Sequence, residues 1–63
     1  MRTYEEAVEA VATCIAKLKL TGIDNYYLAK AVGDVAYDYK VDVMKARADV
    51  LARVDVLVDI LAV

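Results

Sequence analysis

The residues of this 63-residue chain with chemistry to offer are five tyrosines, an acidic series at Asp34, Asp38 and Asp42, and a single cysteine, Cys14. Asp34, Asp38 and Asp42 recur at every fourth position, which on a helix stacks three carboxylates into one ridge. Such a ridge holds a hard cation only loosely. Calcium prefers six or more oxygens gathered by a loop, and no segment has that composition. Histidine is absent and there is one thiol, so the usual zinc ligand sets cannot be assembled. The same absence removes the side chain that titrates near neutrality. There is no serine, and no glycine-rich loop to cradle a phosphate. Cys14 has no base predicted beside it. It lies within an apolar helical stripe and reads as a small buried hydrophobe. The expectation is a protein that is not an enzyme, with no metal and no cofactor.

The tyrosines carry a different kind of chemistry. Tyrosine offers rigid, amphipathic contact area and is enriched where proteins meet. Tyr4, Tyr27 and Tyr39 are expected to complete the core with their hydroxyls at the surface. Tyr26 and Tyr37 are then the exposed pair. With Asp34 and Asp38 they form the candidate partner-binding set.

Helices must position these residues. Thr3-Tyr4-Glu5-Glu6 matches a capping box, and Tyr4, Ala7, Val8, Val11, Cys14, Ile15 and Leu18 form one stripe on a helix over 3–20. Glu5, Glu6 and Glu9 suit its positive end, Lys17 and Lys19 its negative end. Leu20-Thr21-Gly22-Ile23-Asp24-Asn25 is the turn signal, with Gly22 as a left-handed cap and Thr21 or Asp24 capping the next helix. A second helix follows over 24–40, with Leu28, Val32 and Val35 inward. Residues 35–43 also alternate as a strand would, rich in Val and Tyr. A lone strand needs a partner across a dimer.

The helical reading competes well there. Lys30, Asp34, Asp38, Asp42, Lys45, Asp49 and Arg53 keep one polar stripe in phase through the ambiguous stretch. Val32, Val35, Tyr39, Val43, Ala46, Val50, Val54, Leu57 and Leu61 keep the opposing stripe. The third helix runs to about 62, either separate or merged with the second. The predicted fold is therefore all-α, one small helical domain over 1–63: a helical hairpin plus a long carboxyl-terminal helix in an oligomeric bundle. The alternative is α+β with a strand at 35–43.

Hydrophobic residues make up 62% of the chain, yet Phe and Trp are absent. Small Ala and Val side chains bury little area each, so one copy makes a thin core. From Val50 onward apolar residues point almost every way round a helix, interrupted only by Arg53, Asp55 and Asp59. A helix apolar on all sides must be covered on all sides. Short chains are stapled by disulfides, metals or oligomerisation, and the first two are excluded by composition. The sequence predicts a homodimer or higher oligomer, with Val50, Leu51, Val54, Leu57, Val58 and Leu61 at the seam.

A net charge of −2 supplies no positive field for nucleic acid. No stretch is long and uncharged enough to span a membrane, and the polar faces are acidic rather than basic. With one cysteine and no cleavable leader pattern, a cytoplasmic setting is expected.

Tyr27-Leu28-Ala29-Lys30-Ala31-Val32-Gly33 resembles the first half of a helix-turn-helix, in which a Leu-Ala pair precedes a turn glycine by four residues. That resemblance implies a DNA-binding regulator with a recognition helix over Ala36–Asp42. The pattern departs at Asp34 and Asp42, where the family places apolar residues. The recognition segment would also carry two aspartates against one lysine, facing phosphates. The favoured expectation is a small, acidic, homo-oligomeric protein-interaction module that binds and regulates or inhibits another macromolecule, of the compact kind made by mobile genetic elements. The alternatives are a structural assembly subunit and a degenerate helix-turn-helix regulator.

Overall fold

The computed structural model describes residues 2–21 and 26–61, and among these every regular element is an α-helix. Helix α1 spans Tyr4–Thr21, α2 Tyr26–Tyr39 and α3 Val43–Leu61. Of the turn expected over 20–25, Leu20 and Thr21 belong to α1, so Thr21 does not cap the next helix, and 22–25 lie outside the described residues.

The capping box forms as the sequence dictates. The Glu6 amide donates to Thr3 Oγ1 at 3.1 Å, and the Thr3 amide donates to Glu6 Oε1 at 2.9 Å. The bond from the Thr3 amide, then that of its hydroxyl, holds the Glu6 carboxyl below its usual range. Two of the amides that a helix start leaves without partners are thus satisfied by side chains.

Val8, Ala12, Ile15 and Ala16 of α1 meet Val32 and Ala36 of α2 and Ala46, Val50 and Val54 of α3 in one core. Ala12, Ala16, Ala46 and Val50 are wholly enclosed. These are small side chains, and they let α1 and α3 approach closely, whereas α2 meets the other two more loosely. The centre of the α1 stripe therefore lies on Ala12 and Ala16 rather than on its larger residues. This rotation corrects the expectation for Cys14, which is exposed. It stands at the margin of the stripe, one helical step past Val11, which lines the groove between α1 and α2.

The strand expected as an alternative over 35–43 is also corrected. Residues 35–39 are helical, and Val35 and Ala36 are both buried, a consecutive pair that a strand would send to opposite faces. Nor do α2 and α3 merge. Lys40 adopts φ 53°, a left-handed conformation. The Val41 amide donates to the Ala36 carbonyl at 3.0 Å and the Lys40 amide to that of Tyr37 at 3.4 Å, the paired bonds of a Schellman ending. Val41 then packs against the core. One residue later Asp42 Oδ2 accepts from the amides of Met44 and Lys45, at 3.0 and 3.2 Å, and starts α3. Asp42 is thus a helix cap and not a member of a continuous charged stripe.

A lysine in this conformation costs about 1 kcal/mol relative to glycine, through the clash of its Cβ with the backbone. Lys40→Gly is expected to stabilise the chain by about 0.5–1 kcal/mol, read as a raised midpoint in urea with unchanged slope. An unchanged or lowered midpoint would remove this account of the junction.

Candidate interaction surface

Helix α3 runs alongside α1 in the same direction, and two polar links cross between them. Tyr4 Oη donates to Asp49 Oδ2 at 2.6 Å. The Arg53 guanidinium grips Glu9 with both nitrogens, Nε to Oε2 and Nη2 to Oε1, the latter at 3.1 Å. Lys45 joins the first link, with Nζ 2.8 Å from Asp49 Oδ2 and 5.1 Å from the centre of the Tyr4 ring. Tyr39 packs edge-on against Tyr4, ring centres 6.1 Å apart, and its hydroxyl donates to the Arg2 carbonyl at 3.0 Å. These links place the carboxyl-terminal end of α2 beside the start of α1.

The bond from Arg53 holds the Glu9 carboxyl below its ordinary range, and those from Lys45 and then Tyr4 do the same for Asp49. Burial, with the Asp49 bond and charge, pushes the Tyr4 phenol up to about 12. Lowered carboxyls stabilise the fold above about pH 4 and lose that contribution as pH falls further. A raised phenol acts at the other end. Its contribution is intact below about pH 10 and is lost as pH rises through 12. In Tyr4→Phe the fall in thermal midpoint between pH 9 and pH 11 should be smaller than in the parent chain, by circular dichroism. An equal fall in both proteins would exclude the Tyr4–Asp49 link as its source.

The candidate partner-binding residues divide between two lines on α2. Tyr26 and Tyr37, 74% and 84% exposed, lie on one line with Lys30 and Gly33 between them. Beyond the backbone of its own helix and its chain neighbours, nothing lies within 4 Å of where a Gly33 Cβ would stand, so close packing does not require glycine there. Asp34 and Asp38 are exposed on the adjoining line, below Tyr27. Tyr27 is 43% exposed and is not a core residue, whereas Tyr4 and Tyr39 are half-buried. The helix passes unbroken through Gly33, where the helix-turn-helix pattern places its turn.

The expected seam residues are also divided. Val50 and Val54 are enclosed by α1 and α2 of the same chain. Leu51, Leu57 and Val58 are half-buried, the last two against the core, and Leu61 is exposed. Val56 and Ile60 were not among the expected residues, yet they stand in solvent, Ile60 at 60%. They continue the line of Asp49 and Arg53 at helical steps of three and four, a spacing visible in the sequence. Val43 and Met44 are exposed at the opposite end of α3.

Among the described residues no group of three or more acidic, cysteine or histidine side chains converges as metal ligands would, and no helix is long and apolar enough to cross a membrane. No family model matches the chain, and neither a curated protein nor a solved structure matches it.

Proposed function

We propose that this protein is a non-enzymatic interaction module, which associates with a second copy through the exposed end of α3 and presents α2 to another protein. One observation carries the reading: large apolar and aromatic side chains are left in solvent on two helices. They are Tyr26 and Tyr37 on α2 and Val56, Ile60 and Leu61 on α3. Exposed apolar groups gathered on particular elements mark contact sites more often than chance. The self-associating surface in this reading comprises Val56, Ile60 and Leu61 with the half-buried Leu57 and Val58. The partner surface is the line from Tyr26 to Tyr37, where bare backbone at Gly33 admits close approach. Binding acts by occupying the partner's surface.

Light scattering should give a discrete dimer mass that is independent of loading, and Ile60→Asp should give a folded monomer. A photo-crosslinking residue at Tyr37, in the cell that makes the protein, should form one adduct with another protein. The same residue at Ala48, exposed on α3, should not. A monomer at every concentration defeats the first half of this reading, and equal labelling from both positions defeats the second.

A further inference from the structure

Between α1 and α2 the chain leaves an open groove of about 410 Å³, within the range of sites that seat small organic groups. Its floor is built from small side chains, Ala7 and Val11 on α1 and Ala31 and Val35 on α2, so neither helix fills the space between them. Tyr27 and Tyr39 add aromatic walls, and Asp34 and Asp38 stand along the α2 lip.

Charge decides what such a groove accepts. Among the described residues Asp34 pairs with Lys30 alone, at 3.5 Å, with both side chains about two-thirds exposed, a geometry that contributes little. Asp38 has no ion-pair partner among the described residues. Arg2 also lines the groove, but it shares the adjoining α1 surface with Glu5 and Glu6, whose opposite charge offsets it. The mouth is therefore anionic above an apolar floor. A side chain that is aliphatic along its stem and cationic at its head fits both parts. Arginine fits best, because its planar head stacks on tyrosine and forks onto carboxylates.

We propose that the α1–α2 groove seats a basic, amphipathic segment of a partner protein, with an arginine stem over Val11, Ala31 and Val35 and its guanidinium at Asp34 and Asp38. The proposal rests on α2 being the contact helix. It adds the chemistry of the partner.

The probe is acetyl-Leu-Arg-Leu-Leu-Arg-Leu-amide, titrated into the full chain and followed by the methyl signals of Val11, Ala31 and Val35. Those signals should shift and saturate. The citrulline version of the peptide, equal in shape but uncharged, should bind at least tenfold more weakly. Asp34→Asn combined with Asp38→Asn should lose a similar factor, and Ala31→Leu, which fills the floor, should abolish the shifts. Both aspartates are exposed, so the amide variants keep the fold, which circular dichroism verifies. Equal binding of the arginine and citrulline peptides overturns the proposal, as do shifts elsewhere on the surface. Shifts of these methyls on concentrating the protein alone would assign the groove to a second copy, and the proposal fails. Loss of arginine selectivity with crosslinking at Tyr37 intact removes this inference alone. Loss of that crosslink removes the reading of α2 itself.

Discussion

Val50→Asp should leave a chain with no cooperative thermal transition. Val50 is fully enclosed in a core whose other members are alanine, valine and isoleucine, and no polar or charged side chain is buried among the described residues. An aspartate there would find no hydrogen-bond donor. Removing an unpaired charge from water costs several kcal/mol, or about 3–5 where such a group is left uncompensated in a core. A domain of this length has a total stability of about 3–9 kcal/mol. The penalty therefore consumes most or all of it. Ala48→Asp is the control, since that side chain is exposed on α3 outside the proposed self-association surface and should melt much closer to the parent midpoint. A Val50→Asp chain that kept the parent midpoint would show that α3 packs by another face.

Volume should be punished nearly as hard as charge. Ala12 is wholly enclosed at the close approach of α1 and α3. In Ala12→Leu three added carbons have nowhere to go except between the helices. Overpacking of this kind costs about 1–3 kcal/mol, and in a domain this small each kcal/mol lowers the midpoint by about 4–8 °C. The expected fall is about 5–20 °C. The same substitution at Ala48, which is exposed on α3, should lower the midpoint only slightly, since leucine is only a little poorer than alanine as a helix former. Equal midpoints for the two variants would contradict the close approach.

The sequence makes the helices legible because their polar and apolar stripes repeat at steps of three and four, and because Thr3 and Glu6 announce the first start. It also marks Tyr26 and Tyr37 as outward, since neither falls on the apolar arc of α2. Other features leave no local mark. Large residues dominate a hydrophobic stripe on paper, so Ala12 and Ala16 are overlooked, although closest packing falls on the smallest side chains. That is why Cys14 reads as buried and is exposed. The ending of α2 is hidden because a lysine occupies a position where glycine is the usual signal. Val50 and Val54 read as surplus because one helix considered alone cannot show what two others will cover. The groove depends on side-chain volumes from helices distant in sequence, and no window along the chain contains both.

The core discriminates by shape alone. If α1 slid past α3 by a turn, about 5.4 Å, larger side chains would meet the sites that Ala12 and Ala16 now fill. Among the described residues, the polar links that hold the native alignment of these two helices stand at the rim, Tyr4 to Asp49 and Glu9 to Arg53. Part of the register is therefore written on the outside, in groups that dissolved ions can mask. Strong brine should weaken that part and leave the fit of the core untouched.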